Sequence, residues 1–435
     1  MKSICLLGFG PQADPLSFSI LVAPNEEMRH NWGRRDEMAK TNITIGVGLL
    51  AALSVVVLVA ACSPAPTAIP TPTATPPQMP PPTVTPSPTE EAKIIPIVVE
   101  ERQLTHFATM REGQITEESG AAFHPAWSPD GKQIAFDLTE EIEGLTRETI
   151  WVMRSDGSQA HRLFTPPGFG YIRDVAWSPG GERLAFFLGW GAKGIDIWIC
   201  KADGSGLERL VTSADPESIY TVQPALSPDG ERIAYTQQII TPRPEGHGFL
   251  EANTIWVMGA NGSDPKQITE GELPAWSPDG KKIAFVRTPE ESGFRQIWIR
   301  DLSTGGEWSL GPGYEPAWSP DGEWIAFVDR AVREEVLKAK EDGSPLLIAR
   351  YESQEVFIMR SDGSDRHQLT NHPAEGEVPE EFISQEITGG PTIYPLESNL
   401  TDWSPAWSPD GKSIVFLRQD SEKAESNLWL LIVSE

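Results

Sequence analysis

The chain has 435 residues, a formal net charge of −27 and 39% hydrophobic residues. Its excess of carboxylates repels phosphate backbones, so nucleic acid is disfavoured as a partner. Three cysteines, Cys5, Cys62 and Cys200, are too few and too widely spaced for a disulfide framework.

An apolar segment follows Lys40 and ends in Val59-Ala60-Ala61-Cys62. It resembles a lipoprotein signal peptide with its lipobox, which predicts a signal over 38–61 and a lipid on Cys62. The alternative is an uncleaved anchor, since about 20 apolar residues span a bilayer. Both interpretations predict a protein outside the cytoplasm, attached to a bacterial cell membrane on its periplasmic side or at the cell surface.

The residues on either side of the signal differ in composition. Five acidic side chains make 1–37 unlike the start of a signal, so we expect translation to begin at Met38 and 1–37 to be a non-native or unstructured extension. Eleven of the 26 residues from Ser63 to Pro88 are proline. Such a sequence favours extended polyproline II, and 62–98 is predicted to be a stalk.

Six copies of one pattern fill the rest of the chain. Ser-Pro-Asp-Gly or a close variant precedes a short apolar strand each time, and the motif begins at Ser128, Ser178, Ser227, Ser277, Ser319 and Ser408. Proline, aspartate and glycine suit the corners of a tight turn, so the aspartates are interpreted as turn formers rather than calcium ligands. A second hairpin with Asp-Gly or Asn-Gly follows in most copies, which gives four strands per copy.

Four-stranded units of 40 to 50 residues with recurring Trp predict an all-β fold, a six-bladed β-propeller over 99–435. The Trp side chains are expected to pack between blades. Arg102-Gln103-Leu104-Thr105 has the pattern of a fourth strand but precedes the first copy, while the last copy stops after its third strand. We therefore expect the N-terminal strand to close the last blade. Insertions lie at 331–355 and 371–402, and 336–349 is predicted to be either an extra hairpin or half of a degenerate seventh blade, so that seven blades remain the alternative.

Pro125-Ala126-Trp127-Ser128-Pro129-Asp130-Gly131, followed by Ile150-Trp151-Val152-Met153, resembles the repeat of the TolB-type β-propeller family. The resemblance implies a protein that binds partners over a propeller face. TolB itself carries an α/β domain where this chain has the predicted stalk, which puts a Tol–Pal role in doubt. Peptidase relatives need a Gly-x-Ser-x-Gly motif, and the sequence contains none.

A binding site is expected on the face that carries the variable loops 139–149, 188–195, 237–253, 331–355 and 371–402. Residues just before each inner strand are predicted to ring the channel mouth, and they differ among copies: His124, Arg173, Asp174, Gln223, Glu272, Tyr314, Glu315 and Trp403. Variation where the scaffold repeats is typical of a grafted site, although ordinary loop drift produces it too.

Two classes of function follow. The first is a monomeric interaction propeller for an unknown protein, peptide or glycan, with no catalytic residue, cofactor or metal. The second is a lyase or hydrolase that uses His124 as a general base beside Asp174 or Glu315. No His/Cys metal spacing and no phosphate-binding glycine loop is present in the sequence.

Overall fold

A computed structural model describes residues 95–106, 120–142, 145–166, 170–189, 194–211, 219–242, 249–290, 292–340, 343–372, 392–423 and 425–434. The predicted signal, Cys62 and nearly all of the stalk lie outside these ranges. Within them, no helix is long and apolar enough to cross a membrane.

Every regular element in the described ranges is a β-strand. The first half of the chain contains β1 Ile97–Gln103, β2 Gly120–Trp127, β3 Gln133–Ile142, β4 Leu145–Arg154, β5 His161–Phe164, β6 Tyr171–Trp177, β7 Arg183–Gly189, β8 Ile195–Lys201, β9 Glu208–Arg209, β10 Ile219–Leu226, β11 Arg232–Pro242 and β12 Phe249–Gly259. The second half contains β13 Lys266–Glu270, β14 Glu272–Trp276, β15 Lys282–Arg287, β16 Gln296–Asp301, β17 Glu307–Pro312, β18 Tyr314–Trp318, β19 Trp324–Ala339, β20 Pro345–Arg360, β21 His367–Gln368, β22 Thr392–Trp407, β23 Ser413–Asp420 and β24 Glu425–Ser434.

These strands form successive antiparallel groups of four. Strands β2 to β17 make four separate four-stranded sheets. The remaining eight strands form one sheet, in which β18 to β21 make one group and β22, β23, β24 and β1 make the other. The prediction of an all-β propeller is thus confirmed.

The N-terminal strand closes the last group, as predicted. β1 pairs antiparallel with β24, from Ile97 opposite Ser434 to Gln103 opposite Trp429. The strand lies earlier than the predicted Arg102-Gln103-Leu104-Thr105 and begins two residues inside the predicted stalk. The β-branched residues that follow Pro96 favour a β-strand. The high proline content of the long segment before them hides this local preference.

Apolar clusters join each group to the next. Phe136 and Leu138 of the first group, for example, pack with Leu428 and Leu430 of the last. Trp127 and Trp151 pack against the same cluster, as expected of the recurring Trp. Similar clusters lie between each of the other neighbouring groups. The groups therefore close into a ring, and the core consists of the interfaces between sheets.

The Ser-Pro-Asp-Gly turns have the geometry predicted for turn formers. Ser128 Oγ donates to Asp130 Oδ1 over 2.7 Å, and the same carboxylate oxygen accepts the amide of Lys132 over 3.1 Å. Ser128 Oγ in turn accepts the amide of Gln133 over 2.9 Å. Gly131 has a φ of 69°, which glycine adopts without strain. The aspartate thus completes the turn by bonding to its backbone.

Much of the loop-rich face consists of extended hairpins. β11 and β12 pair out to Pro242 opposite Phe249. β19 and β20 pair out to Ala339 opposite Pro345, and the first half of β22 joins β20 in parallel. The segment 336–349 therefore continues the second and third strands of the fifth group rather than starting a new one. Parts of the predicted loops, including 373–391, lie outside the described residues.

We predict that Leu104→Ala loosens the closure of the ring. Leu104 is 7% exposed in the cluster between the first and last groups, so truncation should lower the free energy of unfolding by about 2–4 kcal/mol. Denaturant unfolding of the full chain measures the change. The matched control is Val99→Ala on β1, where the side chain is 56% exposed and we expect less than about 0.5 kcal/mol. Equal effects of the two substitutions would contradict this account of the closure.

Candidate functional site in the central channel

The innermost strand of every group contains the same irregularity. In β2 the pairing with β3 shifts register between Phe123 and Ala126, so His124 and Pro125 bulge out of the ladder. Because both residues are unpaired, proline's missing N–H costs no ladder hydrogen bond. Corresponding shifts occur in the other five inner strands.

One residue of each bulge has a positive φ although it is not glycine. The six residues are His124, Asp174, Gln223, Leu273, Glu315 and Ser404, with φ values between 43° and 56°. Such a conformation is uncommon for side-chain-bearing residues. Its repetition in six strands means that the scaffold imposes it and that the sequence tolerates six different side chains there.

The six bulges converge on one cavity. Its lining consists of those six residues and the residue that follows each of them, and its volume is about 170 Å³. Pockets that enclose drug-sized ligands measure roughly 300–1,000 Å³. The cavity therefore suits a small ion or a single side chain.

The structure separates the sequence-predicted site residues into two sets. His124, Asp174, Gln223 and Glu315 line the cavity, whereas Arg173, Glu272, Tyr314 and Trp403 are absent from its lining. Each of these four directly precedes a lining residue. Tyr314 and Trp403 instead pack on each other, with ring centroids 5.5 Å apart.

Of the six lining residues with positive φ, which form the ring, Leu273 and Ser404 were missed by sequence reasoning. In these two copies the prediction chose the charged or aromatic residue one position earlier, Glu272 or Trp403, instead of the residue at the bulge. In each copy the ring residue stands directly before the Pro or Val of the inner strand, and this position in the repeat identifies it in the sequence. The ring residues also lie within the inner strands rather than just before them.

Polar ring side chains hold the next bulge in place. Gln223 Oε1 accepts the amide of Leu273 over 3.0 Å. Glu315 Oε2 accepts the amide of Ser404 over 2.6 Å. The carboxylate of Asp174 accepts the amide of Gln223 in the same way. These bonds satisfy backbone donors that the bulges turn away from the strand ladders.

His124 lies between two carboxylates. Its Nδ1 is 2.9 Å from Asp137 Oδ1 and its Nε2 is 3.2 Å from Asp174 Oδ1. Burial opposes the charged imidazolium, but the two carboxylates outweigh it and raise the pKa of His124 to about 9. At neutral pH His124 is therefore a cation.

The pKa shifts of the acidic ring residues favour their neutral forms, whereas the shift of His124 favours its charged form. Burial raises the pKa of Asp174 and of Glu315, although His124 partly offsets the shift in both. Two arginines near the ring are paired outside it: Arg173 with Glu148 at 2.8 Å, and Arg295 with Glu272 at 3.7 Å. When Asp137, Asp174 and Glu315 are all ionised, they exceed the charge of His124 by two.

A ring of short β-sheets around a channel, with non-repeating polar residues at its axis, defines a β-propeller with a small central site. No protein-family model matches the chain. Among curated proteins it is similar to the Tol-Pal system protein TolB of Anaeromyxobacter dehalogenans strain 2CP-C, 34% identical over 107 residues, which covers 23% of this chain and 21% of that protein. Dipeptidyl-peptidase 5 of Porphyromonas gingivalis is 25% identical over 240 residues, which covers 44% of this chain and 34% of the relative.

The similarity to the uncharacterized peptidase YuxL of Bacillus subtilis is 29% identity over 106 residues, covering 23% of this chain and 15% of that protein. Among solved structures, a putative TolB from Agrobacterium tumefaciens aligns with a TM-score of 0.44 and 18% identity, covering 76% of this chain and 97% of that one. The chain thus spans about a third or less of the length of these curated relatives. Its repeats are similar to those of TolB proteins, as the sequence motif indicated.

We predict that Asp137→Asn lowers the pKa of His124 from about 9, because burial then meets less opposing charge. NMR titration of the imidazole measures the value. In the parent chain, the stabilisation from charged His124 should be complete below about pH 6.5 and lost as the pH rises through about 9. An unchanged pKa in the variant would contradict the assigned pairing.

Proposed function

We propose that the chain is an extracytoplasmic, lipid-anchored propeller that binds a protein partner, and that the central cavity receives a cationic group of that partner, such as a lysine or arginine side chain. The observation that carries the proposal is the ring of His124, Asp174 and Glu315 with Asp137 behind it. The anchor at Cys62 and the stalk over 62–98 rest on the sequence alone.

The charge of the ring favours a cation. Three carboxylates face one imidazolium, so a positive group that enters the cavity meets a net attraction. A cation also favours the ionised forms of Asp174 and Glu315, whose pKa values are raised by burial. We therefore expect binding to weaken as the pH falls, because the carboxyl groups become protonated.

The size of the cavity supports a side chain over a chain of sugars. At about 170 Å³ it does not enclose a ligand of several rings. The extended hairpins β11–β12 and β19–β20 supply further surface beside the channel for the rest of a protein partner. A single anchor in a pocket, surrounded by a wider contact surface, is the usual form of a protein interface.

The alternative of a lyase or hydrolase required His124 to act as a general base. A base must be unprotonated at the working pH, and the two carboxylates keep this imidazole protonated below about pH 9. The relatives of the chain include proteins named as peptidases as well as TolB proteins. The geometry of His124 favours binding.

Capture of partners from an envelope extract on the immobilised full chain tests the proposal. We expect N-acetyl-lysine methylamide to release the captured protein and the uncharged N-acetyl-norleucine methylamide to leave it bound. Glu315→Gln should reduce capture roughly tenfold, because it removes a charge while keeping an acceptor for the Ser404 amide.

The matched control is Glu231→Gln, which removes an exposed carboxylate in the tight turn between β10 and β11, away from the extended hairpins. Capture should be unchanged in this variant. Equal capture by parent and Glu315→Gln, or equal release by the charged and uncharged compounds, would exclude the central cavity as the cation site.

A further inference from the structure

A second cluster of titratable groups lies at the junction of the last two groups of strands. Glu355 of β20, His372 just after β21 and Asp402 of β22 are buried and each offers an atom within 4.8 Å of the others. None of the three lines the central cavity, although Asp402 is two residues from Ser404 on the same strand. The cluster is independent of the proposed function.

Three potential electron-pair donors meet in this cluster. His372 Nε2 is 2.8 Å from Asp402 Oδ2 and 3.4 Å from Glu355 Oε2. The side chain of His372 is 4% exposed, and Nε2 makes no hydrogen bond within the described residues. Carboxylate oxygens and an imidazole lone pair repel one another, so Nε2 must either carry a proton or bind a metal ion.

The charge balance indicates how much positive charge is missing. Besides Glu355 and Asp402, the partly exposed Glu101 lies at this junction: Arg418 contacts Asp402 over 2.8 Å and also pairs with Glu101. Three negative charges against one positive leave a deficit of two. A proton on His372 would supply one charge, whereas a divalent cation supplies both.

The carboxylates are already oriented by other groups. Glu355 accepts hydrogen bonds from Ser353 Oγ, from Thr370 Oγ1 and from the amide of His372, at 2.6 to 2.7 Å. Arg418 Nε and Nη2 hold the two oxygens of Asp402 over 2.8 and 2.9 Å. In protein metal sites, hydrogen bonds from surrounding residues fix the orientation of the metal ligands in this way.

We propose that Glu355, His372 and Asp402 bind a divalent transition-metal ion, with Zn²⁺ the best match. One imidazole nitrogen and two carboxylate oxygens suit this ion, and a tetrahedral ion bound at about 2.1 Å separates its ligand atoms by about 3.4 Å. The observed separations of 2.8 and 3.4 Å require only small shifts. The sequence predicted no metal site, because the three ligands come from distant strands without a spacing motif.

A metal ion at this site would connect the paired strands β20 and β22. β20 and β22 pair in parallel from Leu347 opposite Thr392 to Gln354 opposite Thr401, directly beside Glu355 and Asp402. A metal bound there joins both strands to the segment after β21. It would brace the hairpin extension and the inner strand that carries Ser404.

The last group of strands has an equivalent position that carries a different side chain. There, Asn427 occupies the position of Glu355, and Thr105 Oγ1 donates to it over 3.1 Å while accepting the amide of Leu428 over 2.9 Å. Thr370 Oγ1 accepts the amide of Val356 over the same distance. Glu355→Asn is therefore expected to fold while losing a metal ligand.

The test measures zinc content and thermal unfolding of the full chain after chelation and titration with ZnCl₂. We expect one tightly bound zinc per chain and a rise in the unfolding midpoint of several degrees. Glu355→Asn should lose both, whereas Glu352→Gln, a partly exposed carboxylate on the same strand that pairs with Arg330, should keep both. The parent chain failing to bind zinc stoichiometrically would overturn the proposal whatever the variants do. Unchanged zinc binding by Glu355→Asn would also overturn it.

Discussion

The structure depends on apolar packing between neighbouring four-stranded sheets. Each unit has apolar side chains on both faces, and these become buried only when another unit covers each face. An open row of such units would leave an apolar face exposed at each end. Closure of the ring removes both ends, and the pairing of β1 with β24 fastens the first part of the chain to the last.

Closure also explains why a site forms at the axis. The same bulge occurs once in every inner strand, so the ring brings six copies of one backbone conformation around a common channel. The backbone at these positions repeats, but the side chains range from Leu273 to His124. The scaffold thus fixes where the side chains meet at the axis, and the individual residues decide the charge of the cavity.

The repeats and turn motifs made the fold predictable, because Ser-Pro-Asp-Gly and Asp-Gly act through local backbone chemistry. The extended hairpin β19–β20 was less predictable, since residues such as Glu334 and Glu335 do not favour strand and depend on pairing with the partner strand. At the site, four of the six ring residues were found, but the bulge that shifts side chains by one position was not. The buried Glu355, His372 and Asp402 cluster arises from contacts between distant strands, which a single sequence does not reveal.

The proposed function requires the cavity to take up a cation beside carboxyl groups whose pKa values are raised by burial. The decisive measurement is calorimetric titration of the full chain with N-acetyl-lysine methylamide, over a series of pH values and in two buffers of different ionisation enthalpy. We expect binding to release protons, because the cation favours the ionised forms of Asp174 and Glu315. Binding with no proton release, or with proton uptake, would contradict it.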